Sequence, residues 1–438
     1  MNITVVGTGY VGLATAVCFA AKGHRVRCVD IDESKIEKIN KGVSPIFEEG
    51  MDQLLRESVE EGRLSASANL EDSVVNSDCT FICVGTPYKD DGSIDLSFVK
   101  SASISIGRAL KRVKGRHTVV VKSTVLPGTT EEVVIPRLEE NSGLRASRNF
   151  GICMNPEFLR EGQAISDLLN PSKTGIIIGE ADPKSGDTLV KLYGGFEGKI
   201  LRTNLRTAEM IKYARNAYLA KDISFSNEIA NICSAFSIDY LGVKKGLEMD
   251  SRIGEGRFLA AGIGYGGSCF KKDVTALIKK AESVGIKPQL LKTTEFVNEM
   301  QPAVAVMLVK RALSRLASRK IAVLGVAFKE GTDDIRESRA LKLVELLIKE
   351  KAKVVLYDPK ATDNARKVLG EKVEFATTAK EALTDCCACI VATEWAEFRN
   401  PDLYKRKGLI VVDGRRIVDP KRLPANVQYY GIGFARQK

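Results

Sequence analysis

Histidine is almost missing from this chain. The 438 residues hold 2, His24 and His117, and each sits in the polar turn before an apolar run (A-K-G-H-R-V and G-R-H-T-V-V-V). Neither reads as catalytic, so acid–base chemistry must fall to Lys, Asp, Glu or Cys. Tryptophan occurs once, aromatics make up 6% of the chain, and no basic run is interleaved with aromatic side chains. A stacking surface for nucleic acid is therefore not expected. The net charge of +11, with local concentrations at Lys111–Arg116 and Lys405–Lys407, suits a phosphorylated small substrate instead. No stretch approaches the roughly 20 apolar residues of a membrane span, and the first strand begins at Asn2. Neither a membrane helix nor a signal peptide is expected, and the expected compartment is the cytoplasm.

The 10 cysteines are scattered, several of them inside strand-like runs, which is the usage of a reducing compartment. The cluster Cys386-Cys387-Ala388-Cys389 has no second pair at metal-ligand spacing and leads into the strand-like Ile390-Val391-Ala392, so no zinc site is expected. The length suffices for two or three domains.

The first 30 residues carry a recognisable unit. An apolar strand over 2–6 meets Gly7-Thr8-Gly9-Tyr10-Val11-Gly12, then an apolar helix over 13–21, then strand 25–29 ending in Asp30. Glycines at these positions permit a tight turn and the close approach of a pyrophosphate to a helix N-terminus. Asp30 would hold the ribose hydroxyls and would repel a 2′-phosphate, which favours NAD over NADP. Residues 34–62 read as helical with a break at Ser44-Pro45. Strands are expected at 80–85, 118–121, 151–154 and 173–179, and a helix at 96–110. Thr86 and Thr124 fall in the turns after two of these strands, at the sheet edge where ligands bind. Glu157 and Glu161, four apart in N-P-E-F-L-R-E-G, would share a face if that segment were helical; a solvated turn is the alternative.

Residues 205–240 form the longest helical stretch and are long enough to bridge two domains and offer a dimer surface. Lys212 and Asn216 stand four apart on one stripe, and an Asn in mid-helix wants a partner. Arg252 and Arg257 are candidate anion ligands. Then comes G-Y-G-G-S-C-F-K-K-D, Gly264 to Asp273. In one reading Cys269 is an activated nucleophile, with Lys271 and Lys272 favouring its thiolate and Asp273 orienting a lysine or a water. In the other, the loop holds a buried, inert Cys and a solvated start to a helix. Helices are expected over 274–284 and 293–315. A second α/β unit begins near Arg319, with strands at 320–325, 353–357, 389–393 and 409–413 and a helix at 340–350. It keeps one of the three fingerprint glycines, so it should bind a different ligand, with Lys329 its anion contact. The fold class is α/β, two Rossmann-like doubly wound domains joined by a long central helix: 1–200 for NAD, 201–300 helical with the cysteine loop, and 315–438.

G-T-G-Y-V-G at Gly7, V-G-T-P at Val84, K-S-T-V at Lys122, N-P-E-F-L-R-E-G at Asn155, G-G-S-C-F-K-K-D at Gly266 and A-F-K with D-D-I-R-E-S from Ala327 together give a chain that resembles the UDP-glucose/GDP-mannose dehydrogenase family over essentially its whole length. The resemblance implies oxidation of C6 of a nucleotide sugar from alcohol to carboxylate, using two NAD. It implies Cys269 as the nucleophile of a thiohemiacetal and thioester and Lys212 as stabiliser of oxyanion charge. Asp273 would assist a water or Lys212, and Asn216 would hold a substrate oxygen. Glu157 would help thioester hydrolysis, with Thr124 holding a water. The nucleotide sugar would lie against Phe158, Leu159, Arg160 and Glu161; against the stretch Phe258 to Gly266, including Ala260, Gly262, Ile263, Gly264 and Tyr265; and against Phe328, Lys329 and Arg415. Gly7, Gly9, Tyr10, Val11, Gly12, Asp30, Lys35, Thr86, Thr124, Glu161, Lys272 and Arg336 match the NAD side. Arg252 matches an arginine that reaches a neighbouring subunit's site, which implies a dimer at least; Arg257 is the alternative. Leu168-Leu169-Asn170-Pro171 leans to the glucose branch, and N-P-E-F-L-R-E-G disfavours the N-acetylmannosamine branch. GDP-mannose and the UDP-N-acetylhexosamines are the rival substrates. A simpler hydroxyacid or 3-hydroxyacyl dehydrogenase, or a non-enzymatic nucleotide-binding regulator, would leave Cys269, Lys212, Asn216 and Asp273 unused.

Overall fold

The computed structural model describes residues 1–89, 91–254 and 257–434, with the Arg257 side chain outside that description. The chain forms two compact units, Met1–Arg215 and Asn216–Lys438. The first is built on β1 (Asn2–Val6), β2 (Arg25–Val29), β3 (Leu64–Ser67), β4 (Cys79–Ile82), β5 (Thr118–Val121), β6 (Gly151–Met154), β7 (Ile176–Glu180) and β8 (Ile200–Thr203), in the sheet order β3-β2-β1-β4-β5-β6-β7-β8. The second holds β9 (Lys320–Leu324), β10 (Lys353–Tyr357), β11 (Glu374–Phe375), β12 (Ala388–Val391), β13 (Ile410–Asp413) and β14 (Gln428–Gly431), in the order β11-β10-β9-β12-β13-β14. Both sheets reverse strand order beside their first strand, the doubly wound arrangement whose switch point opens a ligand crevice. The two Rossmann-like units expected from the sequence are therefore present.

One strand of the first sheet runs against its neighbour. β7 is antiparallel to β6, with Cys153 opposite Glu180 and Met154 opposite Gly179. A parallel neighbour needs a crossover that returns the chain to the starting edge. Here the connection from Met154 to Ile176, which carries the short helix Ala164–Leu169, makes no such return, and β7 runs back against β6. The strand expected at 173–179 starts at Ile176, and the one expected at 80–85 ends at Ile82. Residues 155–160 are not helical, so Glu157 and Glu161 do not share a helix face.

Helix α1 (Tyr10–Ala21) is buried on nearly every side, from Gly12 to Ala20, as its uniformly apolar sequence requires. Gly7 has φ +94°, and a Cβ there would stand 2.9 Å from the Cys83 carbonyl oxygen. Gly325 repeats this in the second unit: φ is +95° and a Cβ would stand 2.4 Å from Thr393 Cβ. In each unit a glycine lets the turn after the first strand press on the loop after its neighbour. The 31-residue helix α2 (Leu205–Ala235) crosses from the residues of the first unit into those of the second. Among the described residues no helix is long and apolar enough to cross a membrane, and no group of three or more metal-ligating side chains occurs.

His117 is a core residue. It accepts or shares a hydrogen bond with Thr80 Oγ1 at 2.8 Å through Nε2 and meets the Ser77 carbonyl at 2.9 Å through Nδ1. Burial pushes its imidazole down to about 4. A group held neutral in the fold and protonated in the unfolded chain gives stability that is present above the ordinary value and lost as pH falls towards the folded one. The loss should run at roughly 1.4 kcal/mol per pH unit between about pH 6.5 and pH 4. We expect the stability difference between wild type and His117→Asn in urea melts to shrink over that range; a difference that stays constant with pH contradicts the assignment.

Candidate active site

In the first unit the chemistry gathers at the carboxyl end of β5 and β6. Glu157 follows β6 through Asn155-Pro156 and is 7% exposed. Its Oε1 is 2.8 Å from Lys212 Nζ on α2, and its Oε2 accepts the Leu159 N–H at 2.7 Å. Burial works to raise its pKa, yet Lys212 first and Lys122 after it hold the carboxyl below the usual range. Lys122, at the end of β5, is itself 2% exposed. Its ammonium donates to Asn155 Oδ1 at 2.9 Å and lies 3.4 Å from the Tyr193 hydroxyl, which also donates to Asn155 Oδ1 at 2.6 Å. Burial lowers the Lys122 pKa to about 8. Two ammonium groups thus bracket one carboxylate in a weakly screened setting. The surplus positive charge favours an oxyanion forming nearby. A cavity of about 30 Å³, lined by Lys122, Asn155, Glu157, Phe158 and Tyr193 among others, has room for a water or two. Phe158 lies under the Arg215 guanidinium at 3.7 Å and 5.7 Å from Lys212 Nζ.

The glycine turn of the same unit fits a dinucleotide. Gly9 caps α1 with no side chain bonded to the helix N-terminus and no acid in the first turn, which leaves those N–H groups to an anion. Gly9 is exposed with open space around it, while Gly12 is pressed so close to the Gly7 carbonyl that only hydrogen fits. Asp30 at the end of β2 accepts the Thr8 N–H at 2.8 Å and the Thr8 hydroxyl at 2.5 Å. Against partial burial, these bonds and nearby Lys35 keep its carboxyl below the ordinary range. Thr86 Oγ1 donates to the Thr124 carbonyl at 2.8 Å, tying together the loops after β4 and β5. In the second unit the corresponding acid, Asp358, is turned inward. It accepts the N–H groups of Val326 and Ala327 at 2.7 and 2.9 Å and the Trp395 indole at 3.1 Å. That turn's anion-binding donors are consumed, which agrees with a different ligand for this unit.

The cysteine loop belongs to the second unit. Cys269 is the N-cap of helix α3 (Phe270–Ser283) and is the one exposed cysteine among the described residues. The thiol is not buried, as one of the two readings had it. By contrast, burial pushes Cys18, Cys28, Cys79 and Cys83 up to about 12. Lys271 and Lys272, expected to favour a thiolate at Cys269, are each also paired with carboxylates: Lys272 with Asp273, and Lys271 with Glu337 at 2.8 Å and Glu299 at 3.3 Å. A helix N-terminus is a position that favours a thiolate. Asp273 is 1% exposed and accepts the Asn216 amide at 2.6 Å. The mid-helix Asn finds the partner it lacked in sequence.

The stretch Phe258–Gly267 is threaded through side-chain amides. Gly262 N–H donates to Asn227 Oδ1 at 2.7 Å, its carbonyl accepts Gln301 Nε2 at 2.8 Å, and Tyr265 exchanges bonds of 2.8 and 3.1 Å with Asn298. Phe258 and Leu259 are held through their carbonyls by Ser226 and Tyr240, and Ile263 N–H by the Gly414 carbonyl. Arg415 donates to the Gly264 carbonyl at 3.2 Å. Phe328 packs its ring against Gly267, where a Cβ would come within 2.8 Å, and Lys329 lies 5.8 Å over that ring. Ala260 is exposed, while Ile263, Gly264, Tyr265 and Gly266 are buried.

Other assigned residues have local partners. Arg160 is exposed and paired with Asp167, Arg252 is exposed and paired with Asp250 at 2.6 Å, and Arg336 is exposed and paired with Asp334 at 2.6 Å. Glu161 lies in a turn whose Gly162 N–H is held by Glu48 at 2.8 Å. The sequence reading missed Glu48, the roles of Lys122, Asn155 and Tyr193, and the amides Asn227, Asn298 and Gln301. Thr294, Asn298 and Gln301 were findable: they repeat at helical spacing on one buried stripe of α4 (Gln289–Leu313).

Sequence models of the UDP-glucose/GDP-mannose dehydrogenase family match residues 1–197 as its NAD binding domain, 206–300 as its central domain and 322–420 as its UDP binding domain. The chain belongs to this family of NAD-dependent nucleotide-sugar dehydrogenases. It is 43% identical over 425 residues to a UDP-glucose 6-dehydrogenase of Haloferax volcanii, covering 95% of this chain and 97% of the relative. It is 42% identical over 441 residues to a UDP-glucose 6-dehydrogenase of Bacillus subtilis, covering 99% and 98%. The solved structure of a UDP-glucose dehydrogenase from Pyrobaculum islandicum superposes with a TM-score of 0.93 at 38% identity, over 99% of this chain and 98% of that one.

The buried Glu157–Lys212 pair predicts a coupled stability effect. Glu157→Gln alone strands a buried ammonium and should cost about 3–5 kcal/mol, whereas Glu157→Gln with Lys212→Met should recover most of that loss. Urea denaturation of the wild type, both single variants and the double variant tests this; simple additivity would show that the two groups are not coupled.

Proposed function

We propose that this protein oxidises C6 of UDP-glucose to the carboxylate of UDP-glucuronate in two NAD-dependent steps, with Cys269 carrying the intermediate. The observation that supports this most is an exposed cysteine at the head of α3, one residue type able to hold an acyl group, in a chain without a usable histidine. The similarity to UDP-glucose dehydrogenases over nearly the whole chain supports the substrate. Gly7, Gly9, Tyr10, Val11, Gly12, Asp30, Lys35, Thr86 and Glu161 would hold NAD with Lys272 and Arg336, and bound NAD supplies the hydride acceptor for both oxidations.

C6 loses a hydride and its hydroxyl loses a proton, which leaves an aldehyde. The Cys269 thiolate adds to the carbonyl carbon, a C–S bond forms, and the oxygen takes up the charge that Lys212 stabilises. A second hydride leaves that carbon and gives a thioester. Water, held by Thr124 and assisted by Glu157, attacks the carbonyl; the C–S bond breaks, sulfur leaves as thiolate, and the carboxylate remains. Asn216 holds a substrate oxygen, and Asp273, bonded to Asn216 and Lys272, keeps that amide aimed. Phe158 to Glu161, Phe258 to Gly266, Phe328, Lys329 and Arg415 contact the nucleotide sugar in this reading. The functional division is 1–200, 201–300 and 315–438, and the compartment is the cytoplasm. A homodimer or higher homo-oligomer is part of the reading, with Arg252 serving the neighbouring subunit. The exposed Tyr218, Phe225 and Ile232, seven residues apart on α2, and Phe236 beyond them support an apolar self-association stripe.

With limiting UDP-glucose and excess NAD, we expect two NADH per sugar, a carboxylate product and no released aldehyde. We also expect UDP-glucose to outpace GDP-mannose, UDP-N-acetylglucosamine and UDP-N-acetylmannosamine in kcat/KM. One NADH per sugar with free aldehyde would refute the covalent route, and faster turnover of another sugar nucleotide would refute the substrate.

A further inference from the structure

The segment before helix α5 (Arg339–Lys349) lies against the cysteine loop, backbone on backbone. Gly267 N–H donates to the Arg336 carbonyl at 2.9 Å, and a Cβ on Gly266 would stand 2.5 Å from the Glu337 carbonyl oxygen. Glu337 has φ +53°, a left-handed conformation that costs a non-glycine residue energy. That conformation coincides with a closed ring of four charges. Lys271 Nζ is 2.8 Å from Glu337 Oε2 and 3.3 Å from Glu299 Oε1; Arg339 is 2.8 Å from Glu299 Oε1 and 3.0 Å from Glu337 Oε2. Arg339 is 3% exposed, so its charge must be matched. Both carboxylates already do this. Lys271 is not needed to neutralise Arg339, and its addition joins α3, two residues beyond Cys269, to α4 and to the Arg336–Arg339 segment.

We propose that Lys271 is a positioning residue for Cys269: through Glu337 and Glu299 it fixes the first turn of α3, and with it the thiol, against the segment that carries Arg336. This rests on the oxidation proposed above. The two lysines then have separate tasks, with Lys272 bonded to the Asp273 that holds Asn216 and Lys271 bonded across to α4 and to the segment before α5. The arrangement explains why the lysines flanking a nucleophile are both engaged by acids. They fix where the sulfur stands more than they tune its charge.

Lys271→Met should keep its fold, because Arg339 retains both carboxylates, and circular dichroism checks this. We expect kcat to fall about 10-fold or more with KM for UDP-glucose changed less than about twofold, as for a misplaced but still formed site. Carboxymethylation of Cys269 by iodoacetate, read on its own peptide by mass spectrometry, should change in rate by about twofold or more at fixed pH, with the midpoint of its pH profile unmoved. Lys271→Arg should restore both readouts, and Lys271→Met with Glu337→Gln should be no worse than the poorer single variant. Should Lys271→Met fail to fold, Glu299→Gln is read in the same way. Unchanged kcat and unchanged carboxymethylation, even with lowered thermal stability, would overturn the proposal, as would failure of Lys271→Arg to restore. A wild type that does not oxidise nucleotide sugars would sink the functional reading alone, since the alkylation readout needs no substrate.

Discussion

One helical turn of α2 sets the terms for the rest. Lys212 and Asn216, four residues apart, are each bonded to a buried carboxylate: Lys212 to Glu157 at 2.8 Å and Asn216 to Asp273 at 2.6 Å. Helical rise fixes their separation more tightly than any loop does. Side chains locked by such partners are held near one geometry, which catalysis by positioning demands. The neighbouring turn adds Glu209, fully buried, whose carboxylate takes the Gly128 and Thr130 N–H groups at 2.6 and 2.8 Å and anchors the start of the helix.

Charge is handled in opposite ways by the two units. Around Glu157 there are two ammonium groups for one carboxylate, and the surplus positive charge is what an oxyanion would meet. Around the cysteine loop cations and acids are matched, Lys271 and Arg339 against Glu299 and Glu337, and Lys272 against Asp273. The thiol stands exposed at a helix N-terminus while its surroundings are neutralised. In the proposed reaction, chemistry without histidine would have lysine stabilise charge, a carboxylate handle water and sulfur hold carbon.

Much of this was legible in the residues. Gly7 and Gly325 announced two switch-point turns, Asp30 closed the first of them, and the stripe of Lys212 and Asn216 declared a polar face in an apolar helix. What failed was partnership. The sequence placed Lys271 beside Cys269 but did not show that Glu299 and Glu337 meet it, a contact made only through tertiary packing. The spacing of Glu157 and Glu161 allowed a shared helix face or a solvated turn; the segment is neither helical nor solvated at Glu157, which turns inward to Lys212. The direction of β7 was equally hidden, because residue composition marks a strand without marking which way it runs. Glu48, Asn155 and Tyr193 matter here only through partners far away in sequence.

The covalent role of Cys269 is what the account stands on. Its most direct test is Cys269→Ser in a stopped-flow trace of NADH with UDP-glucose, with the product assayed for acid and NAD binding measured separately. The account predicts intact NAD binding, no more than one NADH per active site and no UDP-glucuronate. Acid formation by the serine variant at the wild-type rate would contradict it.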